Sequence, residues 1–238
     1  MEYEHFLKNK KIIVVGGSSG IGLAVAQKSL YAGAEVIIAA RTVAKLATVA
    51  RRLGNGVHTE ALDASDENAV VRFFECMGPF DHLVIAIKPT LPEGSALLGD
   101  AGIARLAFDV KFWGQYYLAK HAARHIRKSG SITLTSGVAS KRAYKGYVMI
   151  GVINAATEAL CSALAAEIAP IRINTVCPGF VDAEPVNSER GQLVRALAPG
   201  MPLNRLAEAD EIADAYLYLM KNTYSTGTTM VVDGGVSC

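Results

Sequence analysis

Short runs of mostly apolar residues alternate with longer amphipathic stretches along all 238 residues of the chain. In most of the short runs the apolar residues follow one another without polar interruption, as in strands buried on both faces of a sheet. We predict seven strands, which are Ile12–Val15, Glu35–Ala39, Val57–Leu62, Asp81–Ile87, Gly130–Thr135, Ile171–Val176 and Thr228–Val232.

Helical patterns fill most of the intervals between these strands. We predict helices over Leu23–Leu30, Val43–Arg52, Asp66–Glu75, Ala101–Lys128, Tyr147–Ala169 and Glu208–Met220. Residues 89–99 are predicted to form a loop, and a polar loop at about 182–200 is predicted to cover a pocket as a lid. The alternation of strand and helix predicts an α/β fold, in which a single domain holds a doubly wound parallel sheet covered on both faces.

The first strand leads through a glycine-rich turn into the first helix, and the turn consists of Gly16, Gly17, Ser18, Ser19, Gly20, Ile21 and Gly22. Unpaired N–H groups at a helix N-terminus, together with the positive end of the helix dipole, bind phosphate. Glycine permits the tight turn, the approach of backbone to phosphate and close contact between helix and strand. A lone glycine motif also occurs in a plain strand–turn–helix, but the buried strand before it favours dinucleotide binding.

The tip of the second strand indicates which dinucleotide would bind. Arg41 and Thr42 follow Ala40 at this tip, which in dinucleotide folds faces the adenosine ribose, where an acidic residue hydrogen-bonds the 2′-hydroxyl. The chain has no acidic residue here, whereas a guanidinium suits a 2′-phosphate. We therefore predict NADP(H) as the cofactor rather than NAD(H). The alternative is that Arg41 is a solvated charge at the start of the next helix.

Composition narrows the classes of partner. The chain carries 24 Lys and Arg against 22 Asp and Glu, and 51% of its residues are hydrophobic, so neither disorder nor polyanion binding is indicated. The basic cluster Arg124–Lys128 is interpreted as the solvated end of a helix rather than a nucleic-acid site. No apolar run approaches the ~18 residues of a membrane span, and the N-terminal segment lacks the apolar core of a signal peptide. We expect a cytoplasmic protein without a nucleic-acid or membrane partner.

The cysteine and histidine positions do not predict a metal site. The four cysteines are scattered without paired spacing and are interpreted as reduced thiols. His121 and His125 lie four residues apart on a predicted helix and could share a metal. Because no carboxylate is nearby in sequence and the flanking residues are basic, a surface role is favoured and no metal is expected.

The glycine spacing G-x-x-x-G-I-G resembles that of the short-chain dehydrogenase/reductase family, with Val15 where the family usually has Thr. Three further segments look like the C-terminal half of this family: IRINTVCPG at 171–179, PLNRLAEADEIA at 202–213 and TGTTMVVDGG at 226–235. The resemblance therefore covers nearly the whole chain. It implies a Rossmann fold that binds a nicotinamide dinucleotide.

The resemblance also implies further cofactor contacts. Asp63 would contact the adenine, and the backbone at Ala86 would run beside the cofactor. The family usually has Asn-Asn-Ala-Gly after its fourth strand, whereas residues 85–89 read Ile-Ala-Ile-Lys-Pro here, so the polar tip of that strand is lost. The remaining positions that the resemblance assigns to the cofactor are Pro178, Gly179 and Val181.

In this family a Ser holds the substrate carbonyl, a Tyr exchanges the proton, a Lys four residues later lowers the pKa of the Tyr, and an Asn positions a water. A phenol with a pKa of about 10 needs a nearby cation to exchange protons at neutral pH. In this chain the Tyr position falls at Ile150 and the Lys position at Asn154. The Ser position falls at Ser136 or Gly137, and the Asn position at Lys111.

Tyr147 is a candidate to replace the missing tyrosine. The segment YVMIGVINAATEA resembles the enoyl-thioester reductase branch of the superfamily, which has Tyr-x-x-Met-Gly-x-x-Lys. Tyr147 lies one turn before Ile150 on nearly the same helix face, so its hydroxyl could reach a similar place. The alternative is a structural tyrosine at the start of the helix.

The family's Asn and Lys positions hold Lys111 and Asn154, so the two residue types are exchanged. If the two positions face each other, the pocket keeps one ammonium and one amide. On this hypothesis Lys111 supplies the positive charge and Asn154 hydrogen-bonds the nicotinamide ribose. The alternative is a lysine whose ammonium reaches solvent.

Weak proton-delivery machinery matters unequally for different reductions. Ketone reduction creates an alkoxide that needs an adjacent proton donor, whereas hydride addition to a conjugated carbon–carbon double bond leaves an enolate that disperses its charge. We expect an NADP(H)-dependent oxidoreductase that reduces a small carbonyl or enone-like substrate. Its candidate catalytic residues are Ser136, Tyr147, Lys111 and Asn154. The alternative is an NADP(H)-binding protein without redox turnover, acting as a partner subunit or sensor.

Two further expectations concern assembly and substrate. The helix predicted over Tyr147–Ala169 is rich in alanine, which permits close helix contact with another subunit, so a homodimer or homotetramer is expected. The substrate loop mixes charges without a dominant apolar stripe, and its charged residues include Glu184, Glu189, Arg190 and Arg195. The identity of the small-molecule substrate does not follow from this pattern.

Overall fold

The computed structural model describes residues 5–89, 99–183 and 187–238, and the strands within them form one parallel sheet. The strands are β1 (Lys11–Val15), β2 (Glu35–Ala40), β3 (Val57–Ala61), β4 (Phe80–Ile85), β5 (Ile126–Thr135), β6 (Arg172–Pro178) and β7 (Thr229–Val232). They lie side by side in the order β3-β2-β1-β4-β5-β6-β7. The prediction of a doubly wound parallel sheet in a single domain is confirmed.

Helices cover both faces of the sheet. They are α1 (Gly20–Tyr31), α2 (Val43–Leu53), α3 (Glu67–Met77), α4 (Ala101–Phe108), α5 (Gly114–Ala122), α6 (Val148–Glu167), α7 (Glu189–Ala196) and α8 (Ala209–Lys221). A π-helical turn at Asp109–Trp113 joins α4 to α5. One apolar cluster packs α3, α5 and α6 against the sheet, and a second packs α1, α2 and α8 against the opposite face.

The apolar run of β1 supplies both clusters. Ile13 and Val15 belong to one cluster, whereas Ile12 and Val14 belong to the other. Because successive strand side chains point to opposite faces of a sheet, a central strand covered on both sides needs apolar residues at every position. This requirement explains why the strand reads as an uninterrupted apolar run rather than an alternating one.

The strand order reverses at β1, which pairs with β2 on one side and β4 on the other. In register, Val15 lies opposite Ala39 of β2 and Ile85 of β4. Ligands of open α/β sheets bind in the crevice at the carboxyl ends of the strands where the order reverses. The glycine-rich turn follows Val15 directly and therefore lies at this crevice.

The helix predicted over Ala101–Lys128 is wrong in its C-terminal part. The helix ends at Ala122, and β5 begins at Ile126, which is buried and pairs with β4. The basic cluster therefore spans a turn and the start of a strand rather than a helix end. Within it, Nε of Arg127 lies 3.6 Å from Oδ1 of Asp81.

The segment predicted as a polar loop at 182–200 contains helical structure. It includes α7 and a 3₁₀ turn at Ala198–Gly200, and the Ser188 hydroxyl caps α7 by accepting a hydrogen bond from the N–H of Gly191 at 3.0 Å. Arg195 on α7 forms an ion pair with Asp182. Glu184 lies outside the described residues, as does most of the loop predicted at 89–99.

Helix α6 differs from the expectation that no segment is apolar enough to span a membrane. Its length and a mean hydropathy of 1.6 would suffice on composition alone. In the fold, however, one face of α6 packs against β5 and β6. That face buries Ile153, Thr157, Cys161 and Leu164. Packing against the sheet therefore accounts for part of its apolar composition.

His82 of β4 is buried where protonation is unfavourable. The residue is 6% exposed, and its Nδ1 lies 2.8 Å from Oγ of Ser131. Burial lowers the pKa of His82 to about 4, although the charge of Asp81 opposes this. The unfolded chain, in which this pKa is about 6.5, binds a proton at pH values where the folded chain does not. Stability is therefore lost as the pH falls from about 6.5 to about 4.

We expect His82 to remove about 2.5 kcal/mol from the free energy of unfolding between about pH 7 and about pH 4.5. Urea unfolding of the wild type and His82→Gln at both pH values measures this, because the two proteins share all other titrating groups. The loss on acidification should be smaller in the variant by this amount. Equal losses in the two proteins would contradict the assignment.

Candidate functional site

The glycine-rich turn packs too closely against neighbouring backbone to accept side chains at two positions. A Cβ atom on Gly16, whose φ is +88°, would lie 2.4 Å from the carbonyl oxygen of Ala86. A Cβ atom on Gly22 would lie 2.4 Å from the carbonyl oxygen of Gly16. These contacts draw the turn, the end of β4 and the start of α1 together at the switch point. The close backbone contacts at Gly16 and Gly22 therefore require residues without a Cβ atom.

The N-terminus of α1 faces the crevice. Ser19 occupies the N-cap position with extended backbone, and its side chain makes no capping hydrogen bond. The first N–H groups of a helix have no partner within the helix. Those of the first turn can therefore donate hydrogen bonds to an anionic ligand. Among the described residues, a Cβ atom at Gly20 would come within 4 Å of Ala183 alone, whose Cβ would lie at 3.5 Å. The position therefore has room for a ligand in front of it.

A cavity of about 180 Å³ lies beside the turn, at the carboxyl ends of β1, β2 and β3. The predicted cofactor residues that line it are Gly16, Ser18, Ser19, Arg41, Thr42, Asp63 and Ala86. Burial alone would raise the pKa of Asp63, but hydrogen bonds from the side chain and backbone of Ser65 and the charge of Arg41 lower it overall. Asp63 is therefore a carboxylate at neutral pH, with Oδ1 occupied by Ser65 at 2.6 and 3.0 Å.

A second cavity of about 500 Å³ continues from the turn towards β5 and β6. All four candidate catalytic residues line it, together with Ser19, Gly20, Ile21, Ala86, Pro178, Gly179 and Val181. The structure therefore brings the predicted catalytic residues and these predicted cofactor residues into one groove. Gly22 supports the groove from behind through its contact with Gly16.

Lys111 and Asn154 meet at the carboxyl end of β5. Lys111 is 7% exposed, and its Nζ donates to the carbonyl oxygen of Ser136 at 2.9 Å. Asn154 is 2% exposed, and its Nδ2 donates to the carbonyl oxygen of Gly137 at 3.1 Å. The ammonium is therefore held inside the groove, and the alternative of a lysine reaching solvent does not describe this structure.

One polar atom of this pair is buried without a partner. Oδ1 of Asn154 has no hydrogen-bond partner among the residues that the structure describes. A buried, unsatisfied acceptor is unfavourable by about 1–3 kcal/mol, and a ligand hydroxyl in the groove would satisfy it. The hypothesis that Asn154 hydrogen-bonds a ribose therefore has this acceptor as a structural basis, in addition to the family position.

The π-helical turn orients Lys111, and Gln115 holds the turn in place. Nε2 of Gln115 donates to the carbonyl oxygens of Lys111 at 2.8 Å and of Thr135 at 3.2 Å. Its Oε1 accepts from the N–H of Thr135 at 2.8 Å. Gln115 is fully buried. Sequence reasoning missed this residue because only the fold reveals that a glutamine one turn after Lys111 bridges to β5.

The Ser136 hydroxyl is directed at Glu158. It donates to Oε1 of Glu158 at 2.9 Å, and Ser140 donates to the same oxygen at 2.6 Å. Lys141 pairs with the other oxygen at 2.6 Å. Burial alone would raise the pKa of Glu158, but these three donors lower it overall. Of the two positions considered for the family's serine, Ser136 therefore has its proton engaged, and Gly137 has no hydroxyl.

Tyr147 lines the larger cavity at the start of α6. It occupies the N-cap position of α6, and its ring makes edge contacts with Tyr144 at 6.0 Å and Phe180 at 6.3 Å between centroids. Ile150, one turn later, lines the same cavity. Other apolar residues of this wall, which the sequence did not single out, are Val138, Ala139, Phe180 and Val194.

The two histidines that could have shared a metal have separate contacts. Nε2 of His121 lies 2.9 Å from Oε1 of Glu67, and His125 stacks on Phe74 with centroids 6.0 Å apart. His121 is partly buried, so the expected surface role holds only in part. Within residues 5–89, 99–183 and 187–238, no three His, Cys, Asp or Glu side chains cluster as metal ligands.

Comparison with known proteins identifies relatives that match nearly the whole chain. Residues 15–237 match the family model described as enoyl-(acyl carrier protein) reductase. The chain is 31% identical to the short-chain dehydrogenase/reductase ucsE of Acremonium sp, with 96% of each protein covered. It is 30% identical to D-erythrulose reductase of Gallus gallus, covering 99% of this chain and 98% of that one.

A solved structure gives the same family at the level of the fold. A small-chain dehydrogenase in complex with NADPH is 34% identical to this chain and superposes with a TM-score of 0.80, covering 97% of this chain and 99% of that one. A glucose/ribitol dehydrogenase-type structure from Brucella melitensis, at 24% identity and a TM-score of 0.90, supports the fold alone. The chain therefore belongs to the short-chain dehydrogenase/reductase family.

Proposed function

We propose that this protein is an NADP(H)-dependent oxidoreductase that reduces a small enone-like or carbonyl substrate. The observation that carries the proposal is the buried pair of Lys111 and Asn154, with its orphan oxygen, at one end of a groove that begins on the glycine turn. Both groups suit a polar ligand that bridges the switch point.

The residues present fit a nicotinamide dinucleotide. The two close-packed glycines and the N-terminus of α1 would hold the pyrophosphate. Arg41 and Thr42 would contact the adenosine end, and Asn154 would accept a hydrogen bond from a ribose hydroxyl near the other end. When bound, the cofactor supplies the hydride. Pro178, Gly179 and Val181 would border its nicotinamide end.

We infer NADP(H) rather than NAD(H) from the groups at the adenosine end. Arg41 lines the smaller cavity and is exposed, and Asp63 is turned towards Ser65. The similar small-chain dehydrogenase that was solved in complex with NADPH supports the same choice. A guanidinium can bind a phosphate through two parallel hydrogen bonds, which a ribose hydroxyl cannot exploit.

Replacement of Arg41 tests the cofactor preference. Arg41→Ala should weaken NADPH binding by about tenfold, because the charge-assisted contact with the 2′-phosphate is lost. NADH binding should change by less than about twofold. Fluorescence titration of both nucleotides against the wild type, Arg41→Ala and the exposed control Arg51→Ala measures the effect. A variant that loses both nucleotides equally would contradict the assignment.

Proton delivery in this chain is proposed to differ from the family pattern. The family's Tyr and Lys positions hold Ile150 and Asn154, and its Ser position falls at Ser136 or Gly137, as the motif spacing implies. Lys111 brings a positive charge into the groove from the π-helical turn beside α6. Its ammonium would stabilise an enolate oxygen electrostatically. Tyr147 stands at the apolar end of the groove and is the candidate proton donor, with water as the other source. Such a site suits conjugate reduction better than ketone reduction.

The experiment that tests this function follows NADPH absorbance against a panel of conjugated enones and ketones. NADPH oxidation should be faster with an enone than with the matching saturated ketone, because an enolate needs less proton donation than an alkoxide. Binding of NADPH without oxidation on any substrate would instead favour the second candidate, a nucleotide-binding partner subunit or sensor. That candidate is favoured by an intact glycine turn together with the loss of the Tyr–Lys pair, whose positions hold Ile150 and Asn154.

Lys111→Met tests the role of the ammonium. We expect turnover to fall by about 100-fold, because the buried charge beside the developing enolate is lost. NADPH affinity should change by less than about threefold, since the cofactor is held mainly at the glycine turn. Steady-state kinetics and nucleotide titration separate the two effects, with the exposed Lys120→Met on the adjoining helix as control. Unchanged turnover in the variant would reject the role.

The protein is also proposed to form a homodimer or homotetramer through α6 and the neighbouring π-helical turn. Val148 and Val152 on α6 are 50% and 51% exposed, and Trp113 on the turn is 42% exposed. α6 contacts both α4 and the π-helical turn. An exposed apolar surface on adjacent helices is typical of an interface between subunits.

Val152→Glu tests this interface. The wild type should sediment as a dimer or tetramer. The variant should dissociate because a charge would be buried between the α6 helices of two subunits. Analytical ultracentrifugation of the wild type, Val152→Glu and the remote exposed control Tyr31→Glu measures the assembly. Dissociation of the control but not of Val152→Glu would place the interface elsewhere. A monomeric wild type would contradict the proposed assembly itself.

A further inference from the structure

The two cavities of the groove share one wall. Residues that line both the smaller and the larger cavity are Ser19, Lys45, Ala86, Ile87 and Lys88. These residues mark the waist of the groove, where it crosses from the ends of β1 and β2 to the ends of β4 and β5. A ligand that fills both cavities must pass this waist. In a dinucleotide the group midway between the two nucleosides is the pyrophosphate, which carries two negative charges.

Positive charge reaches the waist from two different elements besides α1. Lys45 belongs to α2, one turn after its N-cap Thr42, and Lys88 follows the end of β4. Both side chains are exposed along the groove. The N-terminus of α1 contributes the positive end of its dipole on the side of Ser19.

Lys88 is a departure of this chain rather than a family feature. It stands where the resemblance places the glycine of Asn-Asn-Ala-Gly, so a small residue has been replaced by a cation at the edge of the groove. The following Pro89 is buried, and a residue that precedes proline is restricted to extended backbone. The backbone dihedral angles of Lys88 are therefore restricted. Its side chain lines both cavities of the groove.

We propose that Lys45 and Lys88 bind the pyrophosphate of the dinucleotide together with the N-terminus of α1. This role rests on the proposed function and extends it, because it assigns the grip on the pyrophosphate to side chains as well as to the glycine turn. Because NADP(H) and NAD(H) share the pyrophosphate, the two lysines act on both nucleotides, in contrast to Arg41.

The test compares Lys45→Met, Lys88→Met and the double variant with the wild type in fluorescence titrations of NADPH and NADH. The double variant should bind both nucleotides about tenfold more weakly and by the same factor, because two screened charge contacts are lost. The dependence of affinity on salt concentration should also become shallower. Lys221→Met, on the far side of α8, is the matched control and should leave both affinities unchanged. Circular dichroism verifies that each variant is folded.

Three outcomes overturn the proposal in distinguishable ways. If the wild type binds both nucleotides and the double variant binds them equally well, the lysines have no role while the proposed function stands. If only NADPH binding weakens, the lysines contact the 2′-phosphate rather than the pyrophosphate. If the wild type binds neither nucleotide, the proposed function fails and the inference fails with it.

Discussion

The close approach of backbone at the switch point is the constraint on which the rest of the groove depends. Gly16 lies against the carbonyl of Ala86, and Gly22 lies against the carbonyl of Gly16, at distances that leave no room for a Cβ atom. This packing joins the end of β1, the end of β4 and the start of α1 into one unit. The N-terminus of α1 consequently faces the crevice where the strand order reverses, and the proposed pyrophosphate site lies there.

The far end of the groove is organised by two neighbouring carbonyl groups. The carbonyl of Ser136 accepts a hydrogen bond from Lys111 of the π-helical turn, and the carbonyl of Gly137 accepts one from Asn154 of α6. One ammonium and one amide therefore meet at the carboxyl end of β5, although the residue types are exchanged relative to the family pattern. A charge that is buried and hydrogen-bonded costs little further reorganisation during a reaction. The proposed reduction with substituted tyrosine and lysine positions depends on this arrangement.

Much of the fold could be predicted from the sequence, because strands covered on both faces must be apolar at every position and the turn chemistry is local. The C-terminal part of the helix predicted over Ala101–Lys128 could not, because Ile126 belongs to β5 only through its pairing with β4. The sequence predicted candidate residues that line the two cavities, but it could not predict the orientations of their side chains. Burial of Lys111 depends on Gln115 bridging to β5, and the direction of the Ser136 hydroxyl depends on Glu158, 22 residues later.

Calorimetric titration of the unmodified protein with NADPH and NADH at up to millimolar concentration tests the central claim most directly. The geometry of the glycine turn predicts saturable binding of one nucleotide per chain, with NADPH bound more tightly than NADH. Absence of heat with both nucleotides, in a protein that is shown to be folded, would contradict the account at its base.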